Sequence, residues 1–422
     1  MVEDVLRPNT TNNHHRLKLK EKTLLDATSY NLEDRKVALE AIRALSLDDL
    51  TKSKIWNDKK QRQIILDACN TNVPDDLRIV GLRILKNISF QYDTIGELWN
   101  NTKSHQVIND ALVLSDNVQI KFIAIGILAN VALNDKNKEE MYDQFCWTLC
   151  NIISDTSIPP IFRDSIVKDS FKVLRRLTEL KENKQRFYDQ REMKQCLFKA
   201  ASLHETNIVR EQAFGILCNL ARNQAVAQKM WKRIDGAKDL LLEASEDTND
   251  GKFTMKAKFG ASKNSIGVRQ NALETMSLLA AFETNQIQMF NNDFVIERII
   301  SGAGIRQPQT VRRFALQTIR HLSLNDEIAK LMWNRSPKLI HIIMEGGKKT
   351  VVNFIRVEAI ETIANLANIS ENRNLMWQNR GCRNVVLSAC EVVVLPTNVD
   401  TTPPIEAAGL KALGLLTGVK MC

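Results

Sequence analysis

The chain has 422 residues, 44% of them apolar and 25% charged, and a formal net charge of +9. That composition is ordinary for a globular protein, and the mild basic bias favours acidic partners without naming one. No apolar run approaches the roughly 20 residues that span a bilayer; the longest, Phe122 to Leu133, contains Asn130.

The opening residues hold no hydrophobic signal-like region. Residue 2 is valine, where myristoylation needs glycine, and the final VKMC does not fit a prenylation box. Eight cysteines without paired spacing read as buried thiols of a reducing compartment, so a cytoplasmic or nuclear location is expected. Residues 1–20, with His14, His15, Arg16, Lys18 and Lys20 after an Asn/Thr run, offer too little apolar surface to offset ordering and read as a flexible basic tail.

From residue 21 to 418 the pattern is helical. Apolar residues recur at helical spacing, as in Ala315, Leu316, Ile319 and Leu322, and again in Ala359, Ile360, Ile363 and Leu366. Pro74, Pro159-Pro160, Pro308 and Pro403-Pro404 punctuate the breaks. Asn325, Asp326 and Asn372 stand where helix N-caps are wanted. Residues 311–343 show the unit: a helix opening on Val-Arg, a polar break at Asn325-Asp326, a second helix ending in Met-Trp, and a third around Leu339 to Ile343.

The unit repeats. Arg312 and Trp333 stand 21 residues apart, and the same gap joins Arg35 to Trp56, Arg78 to Trp99, Arg210 to Trp231 and Arg356 to Trp377. Arg269 to Phe290 and Lys121 to Tyr142 keep the gap with softer types, and Val167 to Tyr188 keeps it with the basic residue displaced to Lys168. Successive aromatic anchors lie 43 to 46 residues apart, except for 59 across an insertion at residues 245–266. A ninth long helix, Ile405 to Leu416, follows a lengthened loop and precedes a short tail at 419–422. Self-similarity at this period predicts an all-α chain of about eight units and a terminal half-unit.

The ends of the long helices read Leu85-Lys86-Asn87-Ile88, Leu128-Ala129-Asn130-Val131, Leu217-Cys218-Asn219-Leu220 and Ala364-Asn365-Leu366-Ala367. With three helices per unit, this pattern resembles the armadillo repeat, while the recurrent Val-Arg opening looks more like HEAT repeats. The resemblance covers residues 30–418 and implies a right-handed α-solenoid of three-helix armadillo-like repeats. It also implies that the third helices line one concave surface suited to extended partners.

The aromatic anchor suits the core between repeats better than a base-stacking platform. The arginine, badly placed for the dipole at a helix start, is expected to meet a carbonyl or carboxylate at a neighbouring helix end. In armadillo importers a tryptophan four residues before the asparagine clamps lysine stems. The equivalent slots here are Glu40, Arg83, Gly126, Lys172, Gly215, Glu274, Gln317 and Glu361, none a tryptophan, which disfavours importer function although Asn87, Asn130, Asn219 and Asn365 are present. Arg43, Arg83, Lys86, Lys172, Arg175, Arg176 and Arg320 lie on or beside that face, with Gln317 and His321. Such a face suits an extended acidic or phosphorylated segment.

The insertion turns from Glu246, Asp247 and Asp250 to Lys252, Lys256, Lys258 and Lys263, with Phe253, Met255 and Phe259 interleaved. Aligning Gly251 with a calcium loop puts Ala257 where a bidentate glutamate is needed, so that reading fails. The six histidines and the Cys146/Cys150 pair form no zinc spacing, and no phosphate-binding glycine loop or nucleophile motif occurs. A non-enzymatic adaptor without cofactor or metal is the leading expectation. A nucleic-acid-binding solenoid and an importin-like transport adaptor are the alternatives. The final helix, IEAAGLKALGLL, has little polar surface for a cap, which predicts self-association through this end or a chain continuing past Cys422.

Overall fold

The computed structural model describes residues 26–29, 31–232, 236–247, 264–391 and 402–418. Those residues form helices joined by short turns, in two compact units, Met1–Asn183 and Lys184–Cys422. The tails at 1–20 and 419–422 lie outside the described residues, as does residues 248–263 of the insertion.

In the first unit the order is α1 (Leu32–Leu45), α2 (Asp49–Asn57), α3 (Lys59–Ala68), α4 (Asp75–Ile88), α5 (Tyr92–Asn100), α6 (Thr102–Val113), α7 (Val118–Val131), α8 (Lys138–Ser154) and α9 (Pro160–Leu177). Helix α10 (Lys181–Asp189) spans the boundary. The second unit continues with α11 (Arg191–Ala201), α12 (Asn207–Ala221), α13 (Gln224–Trp231), α14 (Ala237–Ala244), α15 (Ile266–Ala280), α16 (Glu283–Phe290), α17 (Asp293–Ala303) and α18 (Gln309–Leu322). It closes with α19 (Asp326–Arg335), α20 (Pro337–Gly347), α21 (Asn353–Asn368), α22 (Ser370–Gln378), α23 (Arg380–Cys390) and α24 (Thr402–Thr417). The long helices lie side by side: α1, α4, α7 and α9 in the first unit, and α12, α15, α18, α21 and α24 in the second.

Four repeats turn where a short polar side chain caps a new helix. Asp58, Asn101, Asn292 and Asn379, two residues beyond their aromatic anchors, each accept a backbone N–H of the helix that follows. The third repeat departs from the expected three helices. Gln144 fills the capping slot, its amide bonds His105 and Glu140 instead, and α8 runs on as one helix of 17 residues. Gln190 fills the same slot in the next repeat and the chain does turn there, so the missing cap permits the continuation without dictating it.

A long helix and the helix before it cross through paired small residues. A Cβ on Gly302 would stand 3.3 Å from that of Ala315, and one on Gly346 would stand 3.2 Å from that of Ala359. Gly81 faces Ala68 and Cys69 in the same way, and Gly409 faces Ala389. Backbones this close exclude larger side chains.

The repeated arginine closes the same crossing. Nε of Arg78, Arg210, Arg312 and Arg356 donates to the carbonyl nine residues earlier, of Cys69, Ala201, Ala303 and Gly347, at 3.2 to 3.5 Å. Those carbonyls lie at the ends of α3, α11, α17 and α20, where helical partners run out. All four arginines are buried, and burial holds the guanidinium pKa of Arg210, Arg312 and Arg356 below its usual value. Arg269 has the insertion where that helix end would be, and pairs instead with buried Asp247 at 3.4 Å.

The anchors Trp56, Trp99, Tyr142, Tyr188 and Trp231 are buried as expected. Four anchors also carry a cation over the ring: Arg62 on Trp56, Lys194 on Tyr188, Lys238 on Trp231 and Arg383 on Trp377, at 5.1 to 5.9 Å. The indole N–H of Trp99 donates to Glu140 at 2.7 Å. Phe290, Trp333 and Trp377 depart from expectation and remain half-buried. Trp333 opens into a groove of 810 Å³ between α20 and α23.

Asn325 caps α19 by accepting from Ile328, as expected, and Asp326 is the first residue of that helix. Asn372 does not cap. It is fully buried inside α22, where its amide donates to the carbonyls of Leu366 and Ala329. Asn183 and Asn285 bridge their neighbours in the same way. Position in the repeat, one turn past a helix start, separates this bridging asparagine from a cap.

Candidate functional site

The third-helix face is carried by α1, α4, α7 and α9 in the first unit and by α12, α15, α18, α21 and α24 in the second. Its asparagines are engaged along the stack. Asn87 Nδ2 donates to Ser46 Oγ at 2.9 Å, Asn130 to Ser89 at 2.9 Å and Asn365 to Ser323 at 3.0 Å. Each serine sits just past the end of the preceding long helix and donates in turn to a carbonyl of its last turn. Asn219 accepts from Arg222 at 2.7 Å.

The slots vary together along the sequence. Where a repeat has asparagine, the preceding repeat has Ser46, Ser89 or Ser323, and Thr178 stands at the same offset before Asn219. Where the asparagine is replaced, by Arg176, Leu278 or His321, the preceding repeat has Ala132, Ala221 or Ala280. A buried amide without its acceptor, or a hydroxyl without its donor, is costly, so the two positions change as a pair.

The cations fall into two groups. In the second unit they face carboxylates. Arg320 lies 2.6 Å from Glu358 and donates to Glu361 at 2.8 Å, and Arg222 meets Glu274 at 2.9 Å. His321 donates from Nδ1 to the Ser277 carbonyl at 2.8 Å, leaving Nε2 facing Arg320 at 3.2 Å. Burial lowers the His321 pKa and raises that of Glu358. Gln317, one turn earlier on the same helix, is half-buried.

In the first unit Arg43 is neutralised on this face by Glu40, one turn away on α1. Arg83 and Lys172 make no ion pair or hydrogen bond among the described residues, and Lys172 is exposed. Lys86 rests its ammonium 5.1 Å from the Phe122 ring centre and crosses α7 where Gly126 leaves the surface bare. Arg175 and Arg176 follow on α9, both half-buried. One guanidinium nitrogen of Arg176 is buried without a hydrogen-bond partner, and burial lowers its pKa.

The expected site residues therefore have distinct surroundings. Asn87, Asn130 and Asn365 serve as links between helices; Asn219 and Arg320 are engaged by charged neighbours. Arg83, Lys86 and Lys172 form an uncompensated cationic row. The sequence reading missed the serine partners, whose signal was the paired variation just described. Among the described residues no group of three His, Cys, Asp or Glu side chains is placed to hold a metal ion, and no single helix is long and apolar enough to cross a membrane.

No protein-family model and no curated protein matches the chain. Solved structures do. An engineered protein determined by the Northeast Structural Genomics Consortium is similar with a TM-score of 0.58 at 14% identity, over 94% of this chain and 98% of its own. A designed armadillo repeat protein is similar with a TM-score of 0.50 at 14% identity, over 61% of this chain and 98% of its own. The fold is an all-α solenoid of armadillo-like repeats.

Proposed function

We propose that the protein is a non-enzymatic scaffold or adaptor that binds an extended acidic or phosphorylated protein segment along its third-helix face, chiefly through the first unit. One observation carries this reading: Arg83, Lys86 and Lys172 lack carboxylate partners on that face, whereas Arg222 and Arg320 in the second unit are paired with Glu274, Glu358 and Glu361. Unpaired cations held on rigid helices attract anions without first surrendering an internal contact. The same row disfavours carriage of basic signals, since like charges repel.

Capture of interacting proteins with the wild-type chain and with R83E/K86E/K172E tests the proposal. The reversed chain loses the acidic or phosphorylated partners, while R222E/E274R, which swaps an existing pair, retains them. Identical partner profiles for all three overturn it. Recovery of RNA or DNA instead, with affinity falling steeply in salt, supports the nucleic-acid alternative.

A further inference from the structure

The cationic row has a spacing, and the spacing selects a ligand register. Arg83 on α4, Gly126 on α7 and Lys172 on α9 occupy the same slot of successive long helices. The α7 slot carries no charge of its own. Lys86 of α4 supplies it: a Cβ on Gly126 would stand 2.7 Å from Lys86 Cε and 2.8 Å from Nζ. The Phe122 ring flanks the same ammonium at 5.1 Å. Each of three neighbouring helices thus presents one cation at the same level, and none has a carboxylate within ion-pair distance among the described residues.

Packed helices lie about 8–10 Å apart. A polyproline II segment rises about 3.1 Å per residue with three residues per turn, so every third side chain returns to one side after about 9.3 Å. In a flat β-strand, third neighbours point to opposite faces. We propose that the first unit reads an extended peptide in polyproline II form with an anionic side chain at every third residue, one for each of Arg83, Lys86 and Lys172. This rests on the acidic-segment reading above and adds a register to it. Gly126 is a positioning residue: it touches no ligand, and it holds Lys86 over α7.

Three labelled nine-residue peptides of identical composition, with three glutamates in a Ser/Pro/Thr background, test the register by fluorescence anisotropy on the full chain. Glutamates at positions 1, 4 and 7 are expected to bind best. Placement at 1, 3 and 5, or at 1, 2 and 3, weakens binding by about fivefold for each pair lost at low salt. Gly126→Ala displaces Lys86, whose flexible end yields without disturbing the helix. It weakens the 1, 4, 7 peptide by a similar factor and leaves a peptide with glutamine at position 4 unchanged. Equal affinity for all three spacings, or no effect of Gly126→Ala on the 1, 4, 7 peptide, overturns the register alone. Absence of binding by all peptides overturns the acidic-segment reading along with it.

Discussion

Asn130 and Ser89 each depend on the other. The asparagine is buried and donates to a hydroxyl that itself donates to the Lys86 carbonyl, so removing either partner strands a polar group. Asn130→Ala and Ser89→Ala should each cost about 1–3 kcal/mol. The double variant should cost less than their sum, with a coupling of about 1 kcal/mol in urea unfolding; additive losses would show that the bond contributes nothing. His321 occupies the same slot beside Ala280 and has a pH consequence. Its folded pKa lies below 6.5 because burial disfavours the charged ring, so the unfolded chain takes up the proton first. Stability from this site is intact above pH ~6.5 and falls as pH drops through it. Glu358, whose pKa is raised by burial, acts with the opposite sign, since the native state takes up its proton first. The comparison is therefore between wild type and H321N/A280S, which restores the Asn–Ser bond and keeps Glu358. The double variant should lose the acid sensitivity between pH 7 and 6; an unchanged profile would remove the assignment.

At the scale of elements, one arginine secures the crossing of a long helix with the helix before it in four repeats, through Arg78, Arg210, Arg312 and Arg356. Arg312→Met strips the Ala303 carbonyl of its donor in a buried setting and should cost about 1.5–3 kcal/mol. Arg312→Lys should recover little, because a single ammonium on a longer search replaces a planar fork. Thermal unfolding that leaves both variants at wild-type stability would contradict this role. Much of this level was legible in advance. The periodicity fixed the long helices, the prolines marked their starts, and an arginine set against the helix dipole announced a specific partner. The fused α8 and the bridging role of Asn372 were not legible. Both depend on where a neighbouring helix places its carbonyls, and Gln144 and Gln190 give different outcomes from the same residue type. The half-buried Trp333 was hidden for the same reason, since its cover or exposure is set by residues a full repeat away.

For the molecule as a whole, charge is distributed unevenly between two units of one repeating fold. The positions of the cations could be read from the sequence, but their availability could not. Arg320 and Arg83 look equivalent until Glu358 and Glu361 are placed beside the former. The terminal helix α24 buries Ile405, Ala408, Ala412 and Leu416 and leaves Leu410, Leu413 and Leu415 half-buried. Self-association through that end is therefore proposed, to be seen as a concentration-dependent sedimentation coefficient that L413E/L415E abolishes. A monomer at every concentration would dismiss it. The central claim is that the unpaired first-unit cations hold an acidic segment. Isothermal titration of an acidic peptide into the wild-type chain, R83E/K172E and R222E/E274R tests it most directly. The account predicts a loss of at least about tenfold for R83E/K172E, since two pairs become repulsions, and an affinity within about twofold of wild type for the swapped pair, which is net neutral on that face. Equal affinity for all three proteins would contradict it.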